Sequence, residues 1–267
     1  MDSEAGTGAS PNRAATEAMQ RRRFLYGGVM SGALLAASVP ACGGGRWDDD
    51  ARLRAVNASG DVASIDVRFN DWVFGASVGI GGGVGGYAER ELWSVGTVGR
   101  FDVFRAGSTT ALLRTTHTLP QGETASVVVT GSLGTGLRLR VLGEDTARPS
   151  GQWIRVRVLH AWLGMGALDV FVTLADATLI GRMPDWVLGA YDELSPFSVV
   201  APGTRLRVTP RGQPASVLFD NPATGFAADR VATLVLAPAP GASRAAVAVL
   251  PQNAPGYVLG NQVVAPS

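Results

Sequence analysis

The chain has 267 residues and a nearly balanced charge, because its 23 basic residues are all arginine and face 22 acidic ones. A protein without a clear excess of positive charge has little means to displace counterions from phosphate, which argues against nucleic acid as a partner. The single cysteine, Cys42, excludes an internal disulfide and any metal site built from several cysteines.

The first 41 residues are typical of an export signal. An uncharged apolar run begins at Phe24 and Leu25, directly after a basic stretch that includes Arg21 and Arg22. Glycines and Pro40 interrupt this run. The run is too short and too weakly hydrophobic for a secure membrane span. The basic pair with the following Phe and Leu resembles a twin-arginine signal, whose cargo crosses the membrane already folded.

Residues 39–42 resemble a bacterial lipobox, in which cleavage leaves a lipid-modified cysteine at the new N-terminus. The resemblance implies a signal peptide over 1–41, a lipid anchor on Cys42 and a tether over 42–50. Gly43 stands where an aspartate would favour inner-membrane retention, so the resemblance favours the outer membrane of the cell envelope. The alternative is a free thiol in an uncleaved leader.

An internal repeat organises the remainder of the chain. Residues 53–58 recur as 156–161 and residues 65–67 recur as 168–170, both at an offset of 103 positions. Later matches need offsets of 104 and 105, as expected when loops gain single residues. The predicted boundaries are 51–145 for the first repeat, 146–152 for a linker, 153–252 for the second repeat and 253–267 for a C-terminal tail.

The hydrophobic period within each repeat is two. Ile154, Val156 and Val158 alternate with Arg155 and Arg157, which is how a strand with one buried and one solvated face is patterned. Turn-forming residues separate such runs at roughly ten-residue spacing. The sequence therefore predicts an all-β protein with two tandem antiparallel Ig-like β-sandwich domains of about seven strands each.

The two repeats also resemble a known family. Residues 52–58 and 64–70 of the first repeat, and 154–172 and 200–208 of the second, are similar to the bacterial domain of unknown function 4397 family. That family's second strand carries a Val-Asp-Val element, and residues 162–166 depart from its pattern. The resemblance implies secreted or cell-surface proteins, often lipoproteins, without an assigned enzymatic activity.

Candidate catalytic residues are few. Ser77 lies in a Gly-Ala-Ser-Val-Gly stretch that matches the nucleophile elbow of serine hydrolases, but the glycines that follow disfavour the helix which that turn requires. Of the two histidines, His117 is expected at a solvated strand end. His160 occupies the place of Asn57 in the first repeat, which favours a hydrogen-bonding cap on a turn.

The repeated Asp66 and Asp169 are predicted to fix turns, since a calcium site would need several oxygen ligands close together. No metal or other cofactor is expected. Outward arginines form the one patterned surface feature, and the candidates for binding phosphates or uronic acids are Arg155, Arg157, Arg205 and Arg207. Their alternative role is to keep an exposed sheet face soluble.

These features favour a membrane-anchored envelope lipoprotein that acts as a non-catalytic binding or structural module. Its expected partners are the membrane, through Cys42, and an envelope polysaccharide or protein. Two alternatives stay open: an envelope serine hydrolase that uses Ser77, and an anion- or glycan-binding protein that uses its arginine-bearing sheet face.

Overall fold

The structure is a computed structural model that describes residues 50–91, 97–120, 122–145, 147–151, 153–201, 205–222, 230–240, 244–252 and 254–263. The chain divides into two compact units, Met1–Gly45 and Arg46–Ser267. The predicted export-signal residues Arg21, Arg22, Phe24 and Leu25 and the predicted lipidation site Cys42 lie outside the described residues.

Every regular element in these described ranges is a β-strand. The first half contains β1 (Asp50–Ser59), β2 (Ser64–Phe69), β3 (Trp72–Gly79), β4 (Gly83–Val84), β5 (Ala88–Glu91), β6 (Thr97–Arg105), β7 (Ala111–Leu119), β8 (Thr124–Ser132) and β9 (Gly136–Gly143). The second half contains β10 (Ile154–His160), β11 (Leu168–Thr173), β12 (Trp186–Leu188), β13 (Ser198–Val200), β14 (Arg205–Pro210), β15 (Phe219–Asn221), β16 (Val231–Pro238), β17 (Ala245–Pro251) and β18 (Tyr257–Leu259).

Each half forms two sheets. In the first half one sheet has the order β4-β1-β8-β9, with β5 also paired to β1, and the other has the order β3-β2-β6-β7. In the second half the orders are β13-β10-β16-β17-β18 and β12-β11-β14-β15. The predicted all-β class is thus confirmed. The segment predicted as a tail contains the strand β18, which pairs with the outer edge of β17.

One detail differs from a purely antiparallel sandwich. The strand β1 pairs with β8 in parallel, and β10 pairs with β16 in parallel. Parallel neighbours need a long crossover connection. Here the chain between them builds the whole opposite sheet before it returns.

Both sandwiches have a core supplied by their two sheets. Alternate residues of each strand face inward, as in β2, whose burial alternates along its length. In the first sandwich the core is built mainly from Leu53, Ile65, Val67, Phe69, Phe101, Val103, Val127 and Val129. In the second it is built mainly from Val156, Val158, Leu168, Val170, Leu188, Leu206, Val208, Phe219, Leu234 and Val247.

A third apolar cluster lies between the sandwiches, on the outer faces of the sheets that contain β1 and β10. It contains Val56, Ala58, Val128, Leu142, Leu159, Ala161, Val235, Ala237, Ala248 and Leu250. The central strands β8, β16 and β17 are therefore buried on both faces, and β16 and β17 are almost entirely apolar rather than alternating, whereas β8 also carries threonine and serine residues. This cluster joins the two sandwiches into one body.

The glycine-rich segment after β3 packs against the second sandwich. Gly82 has a φ of +79°, and a Cβ at this position would lie 3.0 Å from the Cβ of Ala248. Gly81 has a φ of +82°, and its Cβ would lie 2.8 Å from Pro240. Glycine is required here because the backbone adopts a left-handed conformation and approaches its neighbour closely.

The two sandwiches are aligned with their first strands beginning at the same end of the body. Midway along β1, Arg54 Nη2 donates to the carbonyl of Pro251, and Pro251 pairs with Ala232 near the start of β16. Beyond the other end of β1, a Cβ at Gly60 would lie 4.0 Å from Pro238, the last residue of β16. Because β16 is parallel to β10, β1 and β10 start together. We call this end the N-terminal pole.

Candidate functional site

Ser77 lies in a β-bulge of β3. Ile65 pairs with Val78 and Val67 pairs with Gly75, so two residues of β3 lie opposite the single residue Asp66. Ser77 has a φ of +50°, and its amide donates to Asp66 Oδ1 at 2.8 Å. The chain then turns into β4 rather than into a helix. The bulge accounts for the unusual backbone at Ser77.

The structure does not bring Ser77 together with a histidine. His117 is exposed in β7, and β3 and β7 are separated in their sheet by β2 and β6. Three strand spacings amount to about 14 Å, which is beyond the reach of a direct hydrogen bond. His160 belongs to the second sandwich and is fully buried.

His160 and Asn57 both bond to backbone groups at strand ends, as expected. The Nε2 of His160 lies 2.9 Å from the carbonyl of Gly166, and Nδ1 accepts a 3.3 Å hydrogen bond from the amide of Trp162. Asn57 Nδ2 donates to the carbonyls of Val62 and Val78, and its Oδ1 accepts from Ser59. Burial lowers the pKa of His160, so its ring stays neutral.

The repeated aspartates fix turns, which confirms that expectation. Asp66 Oδ2 accepts from the amide of Gly107 at 3.0 Å, and Asp169 Oδ2 accepts from the amide of Gly212 at 2.8 Å. Both glycines have a positive φ, +76° and +71°. Among the described residues there is no group of three or more histidine, cysteine or acidic side chains suited to a metal ion.

The four candidate anion-binding arginines lie on two different sheets. Arg155 and Arg157 belong to β10, whereas Arg205 and Arg207 belong to β14 on the opposite sheet. Arg205 pairs with Asp220 and donates to the carbonyl of Ala175 at 2.6 Å. The structure therefore does not gather the four into a single face.

Arg207 is only 7% exposed, which differs from the solvated position expected from the alternating pattern. Its Nη2 donates to Thr173 Oγ1 at 2.6 Å and to the carbonyl of Ala177 at 2.7 Å. The loop that follows β11 covers this part of the sheet. Arg205 and Arg207 thus both hold the backbone of that loop.

Arg157 of the second sandwich and Arg54 of the first make reciprocal contacts across the junction of the sandwiches. Arg157 donates to Thr233 Oγ1 in its own half at 2.9 Å and to the carbonyl of Gly143 in the other half at 2.8 Å. Arg54 donates to Ser126 Oγ in its own half at 2.7 Å and to Pro251 across the junction. An arginine of each sandwich therefore reaches the end of a strand in the other.

Aromatic rings and a carboxylate complete the junction. The guanidinium of Arg54 lies 4.6 Å from the ring centre of Tyr87, and that of Arg157 lies 4.7 Å from the ring centre of Phe197. Arg54 also pairs with Glu144 at 2.9 Å, with exposures of 0% and 5%, and the hydroxyl of Tyr87 donates to the same carboxylate. Burial lowers the pKa of Arg54 and raises the pKa of Tyr87.

A groove opens at the N-terminal pole of the second sandwich. Its volume is about 270 Å³. Trp153 and Val199 line one side, and Leu174, Arg182 and Asp185 line the other. Trp153 is 51% exposed and Val199 57% exposed, so the groove presents apolar surface to its surroundings.

The loop of residues 174–185, between β11 and β12, borders this groove. Leu174 is 77% exposed, Ile180 75% and Met183 85%, whereas Leu179 is buried and anchors the loop. Arg182 donates to the carbonyl of Val172. We call residues 174–185 the apolar loop, because it combines a fixed backbone with outward-facing large apolar side chains.

The family model of DUF4397, a domain of unknown function, matches residues 51–171. This match supports the resemblance found in the sequence. It runs from β1 through the first sandwich and into β11. The tandem duplication and the twin-arginine lipoprotein signal stay predictions.

A solved structure similar to this chain is CBMbc, a family CBM26 module of Eubacterium rectale Amy13K in complex with maltoheptaose. The identity is 12%, the match covers 75% of this chain and 95% of that one, and the TM-score is 0.20. No curated protein matches the chain. Within the described residues no helix has the length and apolar character needed to span a bilayer.

Proposed function

We propose that the chain is an exported lipoprotein of the cell envelope, held to the membrane by acyl chains on Cys42, and that its two sandwiches form a non-catalytic module. The observation that carries the proposal is that β1 starts at Asp50, only eight positions after the lone Cys42. An extended segment of that length reaches at most about 28 Å. A body on such a tether stays close to the bilayer surface.

The positions of the candidate catalytic groups support a non-catalytic role. Ser77 belongs to a bulge that Asp66 holds, and the two histidines lie on a distant strand and in the other sandwich. A serine nucleophile needs a base within hydrogen-bond reach. A fluorophosphonate probe is therefore expected to leave the protein unlabelled, and labelling that disappears in Ser77→Ala would favour the hydrolase instead.

The junction between the sandwiches supports a module that acts as one body. The buried Arg54, the partly accessible Arg157, an apolar cluster and a glycine-rich contact join the halves. A rigid body on a short tether presents fixed surfaces to the membrane and to envelope partners. Outer-membrane placement follows from Gly43 in the lipobox resemblance and belongs to the same proposal.

The direct test is acyl labelling in the host. Cells that express the protein are fed an alkyne analogue of palmitate, and membrane and soluble fractions are compared for the wild type and Cys42→Ser. The wild type is expected to carry the label and sediment with membranes, and the variant to lose both. Unlabelled wild-type protein would contradict the lipid anchor.

A separate variant tests the export route. Replacement of Arg21 and Arg22 by lysine retains their charge but removes the paired arginines of the twin-arginine resemblance. Export is expected to fall sharply, with precursor accumulating in the cytoplasm. Unchanged export of the double-lysine variant would assign the signal to another pathway.

A further inference from the structure

We propose that the N-terminal pole of the second sandwich docks on the lipid bilayer, with the apolar loop as its contact surface. The inference deepens the proposed function and rests on it for the direction in which the body faces. Three observations point to the bilayer as the occupant of this pole.

The first observation is the concentration of exposed apolar side chains at one pole. Leu174, Ile180 and Met183 of the apolar loop are each at least 75% exposed, and Trp153 and Val199 line the adjoining groove. Large exposed apolar patches on soluble bodies mark interaction surfaces. Tryptophan beside aliphatic side chains is the combination favoured at the headgroup level of a membrane.

The second observation is the end of the body at which β1 begins. Asp50 starts β1, Trp153 directly precedes β10, and both strands begin at the N-terminal pole. The tether from Cys42 therefore enters the body at the pole that carries the apolar loop. A lipid anchor on Cys42 brings this pole, rather than the opposite one, near the bilayer.

The third observation is that the apolar loop is held in place. Arg205 and Arg207 donate to the carbonyls of Ala175 and Ala177, and Arg182 donates to that of Val172. The loop is therefore already ordered before it binds, so association with a surface loses less conformational entropy. The charged residues of the apolar loop are Asp176, Arg182 and Asp185, so the loop has no excess of positive charge and apolar contact provides the attraction.

The test uses residues 46–267, which form the second compact unit with their own apolar cores. This body lacks Cys42, so binding reports the pole alone. It is mixed with vesicles of phosphatidylethanolamine and phosphatidylglycerol, and the bound fraction is measured by sedimentation. The variant Leu174→Ser/Ile180→Ser/Met183→Ser removes the loop's apolar surface.

The wild-type body is expected to bind the vesicles, and the triple variant to bind at least tenfold more weakly, equivalent to about 1.4 kcal/mol. Leu133→Ser is the matched control, because Leu133 is also exposed, at 40%, but lies beyond β8 at the opposite pole. It should bind like the wild type. All three proteins should have the same circular dichroism spectrum and melting temperature.

Three results would overturn the proposal. One is a wild-type body that stays in the supernatant at every lipid concentration, and another is equal binding by the triple variant. The third is a lipid-free dimer that the triple variant abolishes, which would assign the pole to a second copy of the chain. None of these results affects acyl labelling of Cys42, so failure of the docking surface is distinguishable from failure of the anchor.

Discussion

Among the described residues, the two sandwiches differ clearly at the connection between their second and third strands. In the first, β2 and β3 are joined by Asn70 and Asp71, whose φ values of +46° and +66° form a tight hairpin turn. In the second, the twelve residues 174–185 join β11 and β12 and carry the exposed Leu174, Ile180 and Met183. The shared architecture therefore supports different pole surfaces, and only the second has the apolar loop.

At the junction, the two sandwiches make similar arginine contacts that differ in how deeply the arginine is buried. Arg54 and Arg157 each reach a carbonyl of the other half, but Arg54 is fully buried with Glu144, whereas Arg157 is partly accessible. A buried ion pair is costly to break on one side, since the remaining charge stays without its partner. The first-repeat arginine should therefore matter more for stability.

The largest expected effect on stability follows from the deeper burial of Arg54. Arg54→Ala leaves the Glu144 carboxylate buried without its guanidinium partner and should lower the free energy of unfolding by about 3–5 kcal/mol. Arg52→Ala, two residues away at an exposed pair with Glu89, should cost less than about 1 kcal/mol. Urea denaturation measures both. Similar losses for the two variants would refute the assigned role of the buried pair.

The glycine-rich contact should give the next largest effect. Gly82→Ala places a Cβ 3.0 Å from that of Ala248 at a φ of +79°, so we expect a loss of about 1–3 kcal/mol. Gly86→Ala is the control, because a Cβ there meets no atom within 4 Å. Thermal unfolding of the two variants separates close approach from a general effect of removing glycine. Equal melting temperatures would contradict the close contact.

The comparison of Asn57 with His160 predicts a pH effect. Burial lowers the pKa of His160 below its ordinary value of 6.5, so the unfolded chain takes up the proton first. This histidine's contribution to stability is therefore complete above pH 6.5 and declines as the pH falls towards the folded-state pKa. His160→Asn, which copies the first repeat, should remove that part of the decline.

Denaturation midpoints measured between pH 7.5 and pH 5 provide the readout, with the exposed His117→Asn as control. The control should follow the wild-type profile. A His160→Asn profile as steep as that of the wild type would show that protonation of this ring does not cause the loss.

The smallest effect is expected at the apolar loop itself. Ile180→Ser and Met183→Ser alter side chains that are 75% and 85% exposed, so each should change stability by no more than about 0.5 kcal/mol. Calorimetric melting of each variant checks this. A loss above 2 kcal/mol would mean that these side chains pack within the body and are not a surface for docking.

Sequence patterns predicted the sandwich cores well because alternation reports directly which face of a strand is buried. Asp66 and Asp169 were likewise recognisable as turn-fixing residues from their repeated context. The junction was missed, although a signal was present: β16 and β17 are almost entirely apolar, which indicates strands buried on both faces. The strands that meet at the junction belong to different halves of the chain, so periodicity alone does not identify which surfaces pack together.

The arginines show why alternation of charged and aliphatic residues does not by itself identify side chains that face solvent. Arg157 and Arg207 alternate with aliphatic residues as solvent-facing side chains would, yet one contacts the opposite sandwich and the other is covered by the apolar loop. The length of that loop was available in the sequence, but its path over β14 depends on hydrogen bonds formed only after folding. The candidate anion-binding role of these arginines stays a prediction.

The most direct test of the docking pole is the depth of a single label. Because Cys42 is the one cysteine of the chain, Met183→Cys in residues 46–267 supplies a unique thiol for a nitroxide. On vesicles, this label should become more accessible to oxygen dissolved in lipid and less accessible to a water-soluble nickel chelate, whereas a label at Gly134→Cys on the opposite pole should not change. Equal accessibility at the two positions would contradict the account.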